Sequence, residues 1–333
     1  MASDDTTAWH HRSATLDDAE RILGVINEHS RTHCGTDRVG ADELPSWFGP
    51  DGKPERQDME IWLTEEGPCA YAQLCSSEWP PTWDVWLDIT VHPAAADRPA
   101  LWDEVIAWAE KATQALVSPR NPEQGHRCGA RVLATDSARL RAYARRGYRQ
   151  VRTETLMRIA LEKDALVMPS WPEGIGVRTL DLTIDLEAYA LAYGEAFRDH
   201  WGHTELPAGE LVRKKRGEFR SWGTFYRPEL WFVAVDGDEI VGGVGSFVGH
   251  GGDPKRSYLY NVFVRRAWRH RGIATALLRK AFQSVHACGC RSAELHVDSE
   301  NLTWALELYR GVGMRPLWHQ HLYEKQLPPA NPG

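Results

Sequence analysis

The segment AYARRGYRQ (142–150) has a counterpart in LYRGVGMRP (308–316), where Tyr309 stands to Gly313 as Tyr143 stands to Gly147. The periodic segments before each of them run in the same order. In the second half, helical spacing covers 184–197, with Tyr189, Tyr193 and Phe197 every four residues, and then 206–220. Two strands follow around an Asp-Gly turn at 236–237, then a strand over 258–264. A helix over 272–287 carries Ile273, Leu277, Ala281 and Val285 on one stripe. A strand (293–297), a short helix (303–310) and a closing strand (318–326) complete the half. The first half repeats this more loosely, with helices at 17–29, 100–116 and 137–147 and strands at 59–64, 70–76, 83–91, 130–135 and 155–161. Two diverged copies of one α/β fold explain the order, and 333 residues supply two domains at about 150 residues each.

The boundary falls where periodicity breaks. Pro169, Pro172, Gly174 and Gly176 punctuate 161–180, which sets the domains at 12–165 and 176–327. Hydrophobic residues at 42% and charged residues at 26% are ordinary for a soluble globular chain. A formal charge of −7 argues against a general nucleic-acid binder. The basic run Arg213, Lys214, Lys215, Arg216 is expected on a solvated helix face. The start, MASDDTTAWHHR, has no apolar stretch of a secretory leader, and no window approaches the ~20 apolar residues of a membrane span. The six Cys are scattered and lack zinc spacing, so a reduced, cytoplasmic protein without a metal is expected. Most of the 15 Trp rings are expected in the core.

The stretch RHRGIATALL (269–278) carries the strongest chemical signal. It follows the strand YLYNVFV and opens a helix, whose first turn offers unpartnered N–H groups and a partial positive charge, a natural cradle for phosphate oxygens. Gly272 lets backbone approach an anion without a Cβ in the way, Ala274 keeps the next position small, and Arg265, Arg266, Arg269 and Arg271 bring positive charge. The stretch is neither a GxxxxGK loop nor a GxGxxG fingerprint.

Taken with its surroundings, this stretch resembles the GNAT acyltransferase superfamily. The matching pieces are Val262-Phe263-Val264, Arg269-His270-Arg271-Gly272-Ile273-Ala274, the strand AELHVD, Asn301, and Leu308-Tyr309 followed by Gly313. Two copies in one chain resemble tandem GNAT proteins of the mycothiol synthase kind. The resemblance implies two tandem domains, each a mixed, mostly antiparallel sheet flanked by helices, and an acyl-CoA in a V-shaped opening between two central strands. It implies that Val262, Phe263 and Val264 pair with the pantetheine arm. Arg269, His270, Arg271, Gly272, Ile273, Ala274 and Thr275 would hold the pyrophosphate. Asn301 matches a position that bonds the pantetheine arm, and its spacing before Thr303 equally allows a helix cap. Tyr309 matches the acid that protonates the leaving thiolate. Where related sequences place a Glu early in the central strand, this chain has Tyr258, which leaves the base open between Glu294, Glu195 and a water relay.

The first copy departs from the pattern. Its loop VHPAAADRPALW (91–102) has Arg98 but no Gly at the place of Gly272, and Pro99 removes a donor, so that copy is expected to be degenerate. Tyr143 then reads as a core residue. His200 and His203 have a chelating spacing without a third ligand, and GHGGDPKR (249–256) reads as an exposed turn. The leading expectation is transfer of an acetyl group from acetyl-CoA to a primary amine of a small molecule, by direct attack in a ternary complex, since no Cys nucleophile accompanies the motif. Two alternatives stand beside it. One is a longer acyl-CoA donor, with room left by the small residues of IVGGVGSFVG (240–249). The other is a CoA-binding or interaction protein without turnover. A small amine is the one partner implied, with no nucleic acid and no membrane; oligomeric state is open.

Overall fold

The computed structural model describes residues 8–41, 43–48, 59–76, 84–117, 126–162, 166–299 and 305–328. The first part of the chain forms β1 (His10–Ser13), α1 (Ala19–Cys34), β2 (Met59–Thr64), β3 (Gly67–Ser76), β4 (Asp84–Val91), α2 (Pro99–Val117), β5 (His126–Leu133), α3 (Ser137–Arg145) and β6 (Arg149–Ala160). The second forms β7 (Ile175–Thr179), α4 (Leu186–Ala196), α5 (Ala208–Ser221), β8 (Phe232–Asp236), β9 (Glu239–Val248), β10 (Arg256–Val264), α6 (Ile273–Ala287), β11 (Ser292–Asp298), α7 (Ala305–Gly311) and β12 (Arg315–Leu327).

Two compact units result, Met1–Thr153 with Trp318–Gly333, and Glu154–Leu317. They do not follow the division at 165 and 176 expected from sequence order. The reason is strand pairing. Residues 154–160 of β6 pair antiparallel with β11, and residues 320–327 of β12 pair antiparallel with β5. The last strand of each sequence copy therefore completes the sheet of the other copy's unit. Linker composition marked the break in periodicity and carried no information about which partner a final strand chooses.

Each unit has the mixed, mostly antiparallel sheet flanked by helices. In the first, β1, β2, β3 and β4 are antiparallel neighbours, and β4 pairs in parallel with β5. Strand alternation sends Ile61 and Tyr71 to one face, where Ile22 and Ile26 of α1 cover them. Trp62, Ala70 and Ala72 go to the other, where Leu101, Trp102 and Val105 of α2 pack. In the second unit β7, β8, β9 and β10 are antiparallel, and β10 pairs in parallel with β11. Buried Ile273, Leu277, Leu278, Ala281, Phe282 and Val285 make the inner stripe of α6.

The repeat is visible in how each copy starts its first helix. Arg12 on β1 makes a two-pronged pair with Asp18, at 2.7 and 2.8 Å, and Asp18 accepts the Thr15 N–H at 3.0 Å. Arg178 on β7 grips Asp185 with both terminal nitrogens, and Asp185 accepts the Asp181 N–H at 3.0 Å. Each aspartate is the residue just before its helix, so the anion also faces the positive end of the helix. Among the described residues, no helix is long and apolar enough to cross a membrane. All six cysteines are thiols.

Candidate active site

The parallel pairing of β10 with β11 is short. It runs over Arg256–Tyr258 against Ser292–Glu294. Beyond that point β10 keeps its partner β9 as far as Val264, and β11 keeps β6 as far as Asp298. Two central strands thus start together and part, leaving an opening with the edge of β10 along one side. Within β10 the register with β9 shifts between Tyr260 and Phe263, so Asn261 and Val262 stand opposite the single Val244. Asn261 takes φ 52°, a left-handed conformation that asparagine tolerates better than branched residues, and its side-chain amide donates to Tyr189 Oη at 3.2 Å. Such a bulge kinks the strand and takes backbone groups out of the ladder.

The far end of β10 leads into the turn before α6. A 3-10 turn, Arg266–Trp268, is followed by His270 at φ 62° and Gly272 at φ 84°. Gly272 is the residue before the helix and supplies no side-chain cap. The first helical bond runs from Ala276 N–H to Gly272 O, so the amides of Ile273, Ala274 and Thr275 belong to the turn that has no intrahelical acceptor. Arg269 has a structural engagement here. Its guanidinium meets Asp199 at 2.8 Å, the Ala196 carbonyl at 2.8 Å and the Val264 carbonyl at 3.2 Å, which fastens the turn to α4 and to the end of β10. Arg271 donates to the Ala267 carbonyl at 3.2 Å, while Arg266 stays exposed. Asn301 and Thr303 lie outside the described residues.

A polar group gathers where β10 and β11 part. The Tyr258 hydroxyl and His296 Nδ1 are hydrogen-bonded at 3.0 Å, and the His250 ring lies 4.8 Å from the Tyr258 ring. In the glycine-rich turn of His250, expected as exposed, Gly252, Pro254 and Lys255 are exposed and Gly251 is buried. Glu294 is buried and engaged. Arg158 of β6 reaches it at 2.5 Å, and Arg256 lies 3.7 Å away. Tyr309, on α7, is buried, and burial pushes its phenol pKa well up, with the neighbouring Tyr258 adding to the shift. It therefore holds its proton through neutral and mildly alkaline pH.

Glu195 forms an ion pair with Arg265 at 2.7 Å, and Arg265 also contacts Glu239. The sequence reading missed a third carboxylate, Glu218 of α5. It accepts from the Tyr260 hydroxyl at 2.7 Å and from Lys215 Nζ at 2.7 Å. Lys215, expected on a solvated face with its basic neighbours, is buried, with its ammonium 3.4 Å from the Tyr193 ring centre. Burial pushes its pKa down, against the attraction of Glu218. The i,i+3 spacing of Lys215 and Glu218 was the available signal. The glycines of β9 do not leave open room. A Cβ at Gly245 would meet Trp231 at 2.4 Å, and one at Gly243 would meet Phe263 at 2.8 Å. Aromatic rings occupy the space the small residues provide.

In the first copy β4 and β5 also part after a short parallel stretch, Asp84–Trp86 against Arg127–Gly129. Its loop is stitched to itself, with Trp102 Nε1 donating to the Ala96 carbonyl at 3.0 Å, and α2 opens on Pro99. Tyr143 is fully buried, against the rings of Tyr148 and Tyr323. His200 packs on Phe197 and His203 lies 3.3 Å from Glu205.

Residues 189–314 match the sequence model of the acetyltransferase (GNAT) family. The mycothiol acetyltransferase of Pseudarthrobacter chlorophenolicus is 25% identical over 232 residues, 68% of this chain and 66% of that protein. The mycothiol acetyltransferase of Thermobispora bispora is 28% identical over 189 residues, 56% of this chain and 62% of that one. The chain thus spans slightly less than two thirds of these relatives. Among solved structures, a GCN5-related N-acetyltransferase from Sphaerobacter thermophilus matches 97% of this chain and 96% of its own, with a TM-score of 0.79 at 28% identity. A tandem GNAT protein from the clavulanic acid biosynthesis pathway shares the fold, with a TM-score of 0.71 over 97% of this chain and all of its own, at 17% identity. The parted strands, the glycine-led helix start and these likenesses agree: residues 189–314 match the GNAT acetyltransferase family, and the chain shares the fold of solved GNAT proteins, a tandem one among them.

Proposed function

We propose that this protein transfers an acetyl group from acetyl-CoA to a primary amine of a small molecule, by direct attack in a ternary complex within the second unit. The observation that carries the reading is the parting of β10 from β11 after Tyr258 and Glu294, at whose far end α6 begins on a glycine without a side-chain cap. In this reading the pantetheine arm adds to the edge of β10 at Val262, Phe263 and Val264. The amides of residues 269–275 hold the pyrophosphate, with the charges of Arg266 and Arg271 nearby. A main-chain N–H of the bulged stretch faces the oxyanion as the tetrahedral intermediate forms. Tyr309, kept protonated by burial, gives its proton to the departing thiolate.

Glu294 and Glu195 are each held by arginines, which suits them to positioning rather than to taking a proton. The ammonium of the acceptor instead loses its proton through the Tyr258–His296 pair or a water beside it. The mycothiol acetyltransferase relatives point to a small amine-bearing acceptor of the kind their name carries. A longer acyl donor loses the support drawn from the β9 glycines, because Trp231 and Phe263 fill that space.

The test is thiol release from acetyl-CoA with a panel of small amines, wild type against Tyr309→Phe. Turnover with at least one amine is expected, and the variant should lose roughly 10²-fold or more in kcat with little change in KM for acetyl-CoA. Full activity in the variant removes Tyr309 as the acid. Absence of acetyl-CoA binding by calorimetry removes the whole reading.

A further inference from the structure

The first unit contains a cluster with no part in that chemistry. His29 and His33 lie one turn apart on α1, and Asp136 is the residue just before α3. One ligand atom from each lies within 4.8 Å of the others. His29 Nε2 is 2.7 Å from Asp136 Oδ2, His33 Nε2 is 4.0 Å from Asp136 Oδ1, and the two imidazole centres are 4.5 Å apart. We propose that His29, His33 and Asp136 bind one divalent transition-metal ion of the zinc class.

The donor chemistry fits such an ion, two imidazoles and one carboxylate, with a fourth position for water. Ligands on a tetrahedral zinc sit about 3.3 Å apart, so an ion has to open the 2.7 Å His29–Asp136 contact and draw in the wider separations, which lie within 4.8 Å. Around the ligands, the Thr135 hydroxyl lies 3.4 Å from His33 Nδ1, which suits the tautomer that leaves Nε2 for the metal. Asp136 Oδ1 accepts the Arg139 N–H at 3.0 Å, which orients the carboxylate.

Arg139 is the opposing element, a buried cation close enough to disfavour a second positive charge. Position gives the cluster a purpose. Glu28 of α1 is 3.1 Å from His92 at the end of β4, while His29 reaches the turn after β5. α1 is thus tied to the ends of both strands that part in this unit, and a metal clamps it there.

The experiment uses the full chain, stripped with EDTA and desalted. It is dialysed against Zn²⁺ for metal analysis and titrated with Co²⁺ for visible absorption. One equivalent of zinc per chain is expected, with a Co²⁺ band stronger than that of the aqueous ion. The melting temperature should rise by about 5 °C at hundredfold excess over Kd. His33→Ala, at a partly exposed helical site, should fold as the stripped wild type does and bind at least tenfold more weakly. Asp136→Asn keeps a helix cap and should lose the same affinity. Equal zinc content in wild type and His33→Ala, or no uptake by wild type, overturns the proposal and leaves the three residues as a hydrogen-bonded strut between α1 and the β5–α3 turn.

Discussion

Glu294 shows how a residue changes meaning once its neighbours are known. In the sequence it is a carboxylate on a central strand, a natural candidate for a base. In the fold it is buried between Arg158 and Arg256. Glu294→Gln is therefore expected to cost about 1–3 kcal/mol of stability, by taking from the partly buried Arg158 guanidinium the carboxylate it pairs with. Urea unfolding checks this; an unchanged midpoint with a collapsed kcat would return Glu294 to the chemistry. Arg158 was invisible as its partner because it belongs to the other sequence copy. Gly245 is the second case. Trp231 fills the place its missing Cβ leaves, so Gly245→Ala should destabilise by about 1–3 kcal/mol through overpacking, measured by thermal melting. A small residue in a sequence says that something comes close, without saying whether it is a ligand or a tryptophan. The placement of Tyr309 on a short helix and of Gly272 at a helix start was legible because their spacing is local. The Lys215–Glu218–Tyr260 set was not, because it joins a helix to a distant strand.

At the scale of elements, strand and helix positions were readable almost throughout, since apolar alternation and helical stripes are themselves the cause of burial. β2 spans 59–64 as its alternation requires, and α6 starts one residue after its glycine. What periodicity could not convey was the shortness of the β10–β11 ladder, which depends on twist and on the bulge at Asn261. The Arg12–Asp18 and Arg178–Asp185 pairs fasten an element of each copy in the same way, and both carboxyls are held below their ordinary range chiefly by the arginine hydrogen bonds. Such groups stabilise the fold above the unfolded carboxylate pKa and lose that contribution as pH falls through the lower folded value. The melting temperature should therefore drop steeply below about pH 4, and the drop should be shallower in Asp185→Asn, which is also less stable at pH 7 by about 1–2 kcal/mol. Equal pH slopes in the two proteins would contradict the assignment.

For the whole molecule, the duplication was legible and the trade of final strands was not. Nothing local distinguishes a strand that stays with its own copy from one that leaves. Fragments cut at the sequence boundary, 1–165 and 170–333, would each lack the strand that closes its sheet beside β5 or β11. Each alone is expected to aggregate through that bare edge, and co-expression should restore a soluble, acetyl-CoA-binding pair. Two soluble, cooperatively melting fragments would refute this. The same trade bears on synthesis. β5 waits for a partner encoded about 190 residues downstream, roughly 10–40 s of translation at ordinary ribosome speeds. The unit of β5, earlier to emerge than that of β11, is thus the one that cannot finish first, and a nascent chain must keep its core shielded until β12 is released.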